Sequence, residues 1–304
     1  MKHTAPWNIT QHAPSVFELR FTQPQGDVLV VSDLHWDNAH CDRAALKRDL
    51  DEAVKRNAPI LMIGDTFCLM QGKWDRRKDD SQMRPEHRGG NYFDRIVTTA
   101  ADWFAPYARN IALITYGNHE TSIIQHHETD ILQRFDQALR DKCPQYRGHV
   151  GAYAGFLKIA VPRKEGPRTQ DRKACSKTLA WHHGYGGGGE VTRGLIDNSR
   201  TRGQAFADIY VSGHIHRRNL DENVITMLDQ KNMNILQLTQ WFLRAGTYKR
   251  EDGSHKGEMS GWHVEKGHTC RPMGGWWLPF RTSRTTRRGR QIYIVTVQPT
   301  PTRA

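Results

Sequence analysis

Five short apolar runs, each ending in side chains that bind metals, constrain this chain more than any other feature. Residues 28–31 lead into Ser32-Asp33-Leu34-His35, and 60–63 into Gly64-Asp65. Residues 111–116 lead into Gly117-Asn118-His119-Glu120, 178–181 into His182-His183-Gly184, and 209–212 into Gly213-His214-Ile215-His216. A short continuous apolar run reads as a buried strand. In open α/β sheets the ligand crevice lies outside the carboxyl ends of the strands. Such ends would gather Asp, His and Asn in one crevice. A chance scatter of 16 His over 304 residues would not fall so regularly behind apolar runs.

The segments between the runs fit a crossover architecture. Residues 43–54 place Ala45, Leu46, Leu50, Ala53 and Val54 on one helical face. A strand, a helix and a second strand in that order build a parallel sheet. Residues 92–104 read as a second crossover helix, with Ile96, Val97 and Ala100 inward. Residues 121–139 read as one long third helix. Residues 150–161 hold one or two strands, and 192–206 are helical in part. Past His216 the pattern turns β-like at 224–227, 235–238 and 292–297. Residues 1–26 form a polar lead-in whose stretch 16–21 alternates apolar and polar, as an edge strand does. No clean linker follows, so 27–300 reads as one domain, with 246–290 a Gly-, Trp- and Arg-rich insertion.

Charge narrows the partners. Lys and Arg outnumber Asp and Glu, 44 to 32, for a net charge of +12. A basic chain attracts polyanions, nucleic acid above all, unless the charge serves only solubility. Residues 70–91 carry Lys73, Trp74, Arg76, Arg77, Lys78 and Arg84. They form either a solvated loop or a lid and phosphate clamp, with Arg76 and Arg77 the candidate phosphate contacts. Gly186 to Gly189 is either a hinge or a source of backbone N–H groups for an anion. Trp262, His263, Trp276, Trp277, Arg281, Arg284, Arg287, Arg288 and Arg290 offer stacking and phosphate pairing, or simply core Trp beside solvated Arg. The five Cys are widely spaced with no Cys-x-x-Cys, which speaks against a zinc knuckle or disulfide framework. No apolar run approaches the roughly 20 residues of a membrane span. The first ten residues lack a signal-peptide centre. The chain reads as cytoplasmic, with no membrane partner.

The donors are Asp33, His35, Asp65, Asn118, His214, His216 and one of His182 and His183. Carboxylate, imidazole and amide without thiolate suit Mn, Fe or Zn. Such a set exceeds what one transition-metal ion uses. Two divalent ions sharing one carboxylate would use it all. Two-metal sites, with ions roughly 3.5–4 Å apart, recur in phosphate ester hydrolysis. They bind phosphoryl oxygens, lower the pKa of water and oppose charge in the transition state.

In this order, Asp-x-His, Gly-Asp, Gly-Asn-His-Glu, His-His-Gly and Gly-His-x-His resemble the calcineurin-like metallophosphoesterase superfamily. The resemblance spans Asp33 to His216, and its longer pattern is similar to uncharacterised phage and bacterial members. It implies a four-layer α/β/β/α sandwich of two mixed β-sheets flanked by helices. It implies that Asp33, His35 and His216 hold one ion, and that Asn118, His214 and a His of the pair hold the other. The His-x-Pro pattern of some members favours His182, and the His-Gly-Gly pattern of others favours His183; the balance falls to His182. Asp65 would bridge the ions, manganese before iron or zinc on the donor types. His119 would contact phosphate or protonate the leaving oxygen, a role an imidazole suits because its pKa lies near working pH. Glu120 would orient His119, stand behind it or touch substrate. The Asp-Arg-Gly of protein Ser/Thr phosphatases is missing after Asp65, which is followed by Thr66-Phe67-Cys68. The function implied is a two-metal phosphodiesterase or nuclease acting on nucleic acid or a nucleotide. The alternatives are a phosphomonoesterase on a metabolite or phosphoprotein, and a nucleic-acid-binding protein with a structural metal site.

Overall fold

The computed structural model describes residues 5–70, 80–163, 174–186, 195–230, 233–252, 259, 262–265, 267, 270–287 and 290–303. Two sheets face each other across an apolar core. The first runs in the order β13 (Arg290–Val297), β12 (Trp276–Arg287), β3 (Gln25–Val31), β4 (Ile60–Ile63), β5 (Ile111–Thr115) and β6 (His149–Gly151), with β14 (Thr300–Pro301) also on β12. Strands β3 to β6 are parallel, and β12 is antiparallel to β3 and β13. The second runs in the order β1 (Trp7–Ala13), β2 (Val16–Phe21), β7 (Ala154–Pro162), β8 (Ala174–His182), β9 (Ile209–Ser212), β11 (Asn234–Arg244) and β10 (Asn219–Asp229). Here β2 and β7, β8 and β9, and β9 and β11 are parallel. Both sheets are therefore mixed.

Strand alternation sorts the side chains into layers. In β3, Val28 and Val30 join Leu61, Ile63, Leu157, Leu179 and Val211 between the sheets. Leu29 and Val31 point the other way, against α1 (Arg43–Lys55), α2 (Tyr92–Phe104) and α4 (Ile131–Lys142), through Leu46, Leu50, Ile96, Phe104 and Phe135. On the far side, α5 (Leu195–Gln204) stands over Ala180, Tyr210 and Phe242 of the second sheet. The layers are helix, sheet, sheet, helix, as expected. Among the described residues no helix is long and apolar enough to cross a membrane.

Three expectations change, and the one-or-two-strand reading of 150–161 resolves to two. The stretch 16–21 is β2, but it lies inside the sheet, because residues 7–13 form the edge strand β1 beside it. The single helix over 121–139 is two, α3 (Asn118–His127) and α4. Glu128 takes a left-handed φ of 52° and Asp130 caps α4 by accepting the Gln133 N–H. Residues 150–161 hold two strands belonging to different sheets, β6 and β7. Residues 276–287, inside the stretch read as an insertion, are the interior strand β12. Trp276 and Trp277 there are 6% exposed; the Trp276 Nε1–H donates to Arg244 O, and Arg56 stacks over Trp277. They pack the protein and are not a stacking platform for bases. Arg281 pairs with Asp27. Arg76, Arg77, Trp262 and His263 and the Arg288 neighbourhood lie outside the residues or side chains described, as do Gly187 to Gly189.

Candidate metal centre

The carboxyl ends of β3, β4 and β5 meet those of β8 and β9 where the two sheets face each other. The chain turns sharply at each end. Asp33, His35, Asp65, His214 and His216 all adopt left-handed backbone, with φ of 52°, 45°, 48°, 70° and 57°. Asp and His tolerate that region better than most residues, but each still carries a cost of about 1–2 kcal/mol. Hydrogen bonds between strand ends hold the turns. Asp33 N–H donates to Gly64 O, His35 N–H to Asp65 O, and Tyr248 N–H to Asp33 O.

Two glycines show how closely these ends approach. A Cβ on Gly117 would stand 2.1 Å from Asp65 Oδ1, and one on Gly213 would stand 2.0 Å from Ser32 Oγ and 2.4 Å from Asp33 Oδ2. The glycine before Asn118 and the one before His214 are thus required by contact, since neither has a positive φ.

Among the described residues, three groups have ligand atoms within 4.8 Å of one another: Asp33, His35 and His216; Asp65, His183 and His214; and His35, Cys68 and His119, the first two made of the expected donors. In the first, His216 Nε2 is 3.4 Å from Asp33 Oδ1 and 3.0 Å from His35 Nε2. In the second, His183 Nε2 is 3.1 Å from Asp65 Oδ2 and 3.2 Å from Asn118 Oδ1, which is 2.7 Å from His214 Nδ1. These two groups adjoin, with His183 Nε2 also 4.0 Å from Asp33 Oδ1. Donors on an ion at about 2.1 Å, set at right angles, stand about 3 Å apart. The spacings fit a metal.

The tautomers fit as well. The His183 Nδ1–H donates to Ile63 O (3.1 Å), His216 Nδ1–H to Glu251 Oε1 (3.0 Å), and His214 Nε2–H to Gly186 O (2.9 Å). In each ring the other nitrogen faces the cluster, as a ligand imidazole requires. His35 Nδ1 is buried with no hydrogen-bond partner among the described residues, and its Nε2 faces inward. The electrostatics also call for positive charge here. Burial opposes protonation of His183, yet Asp65 outweighs it and lifts the pKa to about 10. Burial likewise opposes protonation of His216, and Glu251 with Asp33 raises it to about 10. His35 moves well below its ordinary value through burial and the nearby His119 and His216. Asp65 stays well below the usual carboxylate range despite burial, because His183 and His119 face it.

His182 does not join the cluster, and the balance in its favour is reversed. Its Nδ1 accepts the Gly184 N–H at 3.0 Å, and its ring edges against Tyr153 and Tyr185. The reason is strand phase. Leu179 and Trp181 of β8 point between the sheets, so His182 points outward with Ala180, and His183 falls back in phase. That alternation was readable from the sequence.

His119 sits beside the first two groups without being part of either; it belongs to the third, with His35 and Cys68. Its Nδ1–H donates to Cys68 O at 2.5 Å, leaving Nε2 3.8 Å from Asp65 Oδ2. Glu120 does not reach the His119 ring, a correction to its expected orienting role. Its carboxylate accepts backbone N–H groups from Asp65 (3.1 Å), Gly117 (2.9 Å) and Phe67 (3.0 Å), and clasps the ends of β4 and β5 together. Burial, reinforced by Asp65, pushes its pKa up to about 8. Two residues were missed. Asp37 accepts N–H groups from Cys68 and Leu69 and so shapes the chain after Asp65. Glu251 orients His216 from 35 residues away. A buried Asp just past the Asp-x-His was a usable signal for the first; nothing in the local sequence marks the second.

No family model and no curated protein matches the chain. Among solved structures it is similar to a metallophosphoesterase from Sphaerobacter thermophilus, at 12% identity over 91% of this chain and 89% of that one, with a TM-score of 0.34. It is similar to a conserved uncharacterized protein of Streptococcus pneumoniae TIGR4, a predicted phosphoesterase, at 10% identity over 90% and 98%, TM-score 0.29. It is also similar to Vps29 complexed with zinc from Entamoeba histolytica, at 11% identity over 89% and 98%, TM-score 0.30. Likeness at that level carries nothing about the chemistry, which rests on the side chains above.

Proposed function

We propose that this chain is a calcineurin-like metallophosphoesterase, a hydrolase that cleaves phosphate esters with two divalent metal ions. The observation that carries the reading is the pair of adjoining donor groups, with their inward nitrogens set by outward hydrogen bonds. Asp33, His35 and His216 would hold one ion and His183, His214 and Asn118 the other, with Asp65 as the carboxylate they would share. The donors, carboxylate, imidazole and amide with no thiolate among these seven, suit manganese, with iron or zinc next. When bound, such a pair supplies a Lewis acid for phosphoryl oxygens and a nucleophile at neutral pH. The chain's own groups do the rest. His119, fixed through Cys68 O, presents Nε2 to the leaving oxygen and gives it a proton. Glu120 keeps the β4 and β5 ends together, and Asp37 holds the chain after Asp65.

The net charge of +12 favours a polyanionic substrate, a phosphodiester of nucleic acid or a nucleotide. The test uses manganese-loaded protein on bis-p-nitrophenyl phosphate and p-nitrophenyl phosphate, with metal analysis of Asp65→Asn. Diester turnover and a loss of both metals in that variant are expected. A strong monoester preference would move the substrate to a phosphomonoester. Two metals per chain in Asp65→Asn would remove the bridge.

A further inference from the structure

On the outer face of the second sheet, beneath α5, lies a cavity of about 260 Å³ that the metal cluster does not use. Its floor is mainly apolar, with Ala180 beside Tyr210 and Phe242, cross-strand partners whose rings stack on each other 4.4 Å apart and 2° from parallel and so turn their edges to the cavity; the paired Asp197 and Arg244 also line it. Its roof is the inward face of α5, which presents Asn198, Thr201 and Gln204 at helical spacing. Amide side chains carry a donor and an acceptor together, the pairing that a base edge offers. The size is below that of a drug-sized site and suits one ring system, not a run of nucleotides. At the strand ends the wall is the backbone of Gly184 and Gly213, whose chain neighbours are His183 and His214 of the cluster.

We propose that this cavity binds the nucleobase of a nucleotide whose phosphate lies at the metal cluster. The proposal rests on the phosphoesterase reading for its phosphate, but not for its base. A slot with a mainly apolar floor and an amide-bearing roof takes a heteroaromatic ring with a hydrogen-bonding edge. The outward phase of β8, which removes His182 from the metals, makes it part of this pocket's lining. The substrate is thereby narrowed to a mononucleotide ester or the last nucleotide of a strand.

The test titrates the full chain, in EDTA, with adenosine, guanosine, cytidine and uridine, and with indole as a flat ring lacking the base edge. At least one nucleoside is expected to saturate one site per chain with a Kd tighter than about 1 mM, and indole to bind at least tenfold more weakly. Ala180→Trp from the floor and Thr201→Trp from the roof should each weaken the nucleoside tenfold or more, with the circular dichroism spectrum retained. Photolabelling of the wild-type chain with 8-azidoadenosine should mark residues 195–205 or Tyr185. No saturable nucleoside binding, indole binding as tightly, or a label elsewhere would overturn the pocket. Ester turnover without nucleoside binding sinks the pocket and keeps the enzyme. Nucleoside binding with no turnover under manganese keeps the pocket and sinks the enzyme.

Discussion

Replacing Gly117 by Ala tests whether the site is built by close approach of strand ends. Gly117 has ordinary extended backbone, φ −113° and ψ −176°, which alanine adopts freely. Conformation therefore predicts no penalty. Contact predicts a large one, because the new methyl would sit 2.1 Å from Asp65 Oδ1, 2.3 Å from Asp65 N and 2.8 Å from Asp65 Cγ. Ordinary contact begins near 3.4 Å, so Asp65 must retreat by about 1 Å. Asp65 is 1% exposed, and its Oδ1 accepts the His119 N–H at 3.0 Å, so retreat breaks that bond. Overpacking of this kind costs about 1–3 kcal/mol, and a 1 Å misplacement at a reacting centre costs about 10²-fold in rate. Gly203 is the control: it lies in α5 with nothing within 4 Å of its would-be Cβ. Gly203→Ala should stabilise by up to about 1 kcal/mol through helix propensity. The assay is thermal melting in EDTA followed by manganese-dependent turnover of bis-p-nitrophenyl phosphate. Gly117→Ala with wild-type melting and turnover would refute the contact argument. So would Gly203→Ala behaving as badly as Gly117→Ala.

His183→Ala should lower bound metal from two per chain to one, while His182→Ala keeps both; metal analysis after dialysis reads the difference. His119→Ala should retain both metals and lose about 10²-fold or more in turnover, and full activity would show that the proton comes from elsewhere. Acid should weaken the fold through Asp42. Burial alone would raise that carboxyl, but the Ala45 N–H and Arg250 outweigh burial and hold it below its ordinary value. A depressed carboxylate stabilises the fold above the unfolded pKa, about 3.9 for Asp, and that contribution fades as pH falls through the folded value. Asp42→Asn should flatten the loss of melting temperature below pH 4 relative to wild type; parallel profiles would show that Asp42 contributes nothing to it.

The parts of the fold legible in the sequence are those where one physical signal acts alone. The runs at 60–63 and 209–212 match β4 and β9 because fully buried strands show as unbroken apolar stretches. The helix at 92–104 matches α2 because its apolar face is uninterrupted. Failures came where two signals compete. The α3–α4 break was hidden because apolar periodicity continues across it, although Asp130 with Gln133 three residues on is a readable start signal. Strand β12 was hidden by Pro279 and by its arginines, since a proline normally argues against an interior strand. Glu251 was out of reach, because only the pairing of distant segments brings it to His216.

The most telling part of the site is its backbone. Left-handed conformation at Asp33, His35, Asp65, His214 and His216 amounts to about 5–10 kcal/mol at about 1–2 kcal/mol each. That is comparable to the whole net stability of a folded domain, about 5–15 kcal/mol. A chain under no demand for these positions would place glycine or asparagine there. Strain of this kind persists only where surrounding structure over-determines it. Here the surroundings are identifiable: the clasp of Glu120 on Asp65, Phe67 and Gly117, the His214 N–H on both Asp33 oxygens at 3.0 and 2.9 Å, and the packed core between the sheets. The left-handed turns re-aim each side chain from the sheet faces toward the common end of the two sheets. Asp33 with His35, and His214 with His216, are two residues apart, so alternation alone would already give each pair a common face; what the turns change is the direction in which each pair leaves its strand end. The strained backbone therefore marks these five positions as ones the surrounding structure over-determines, which is what the proposed metal site requires of its donors.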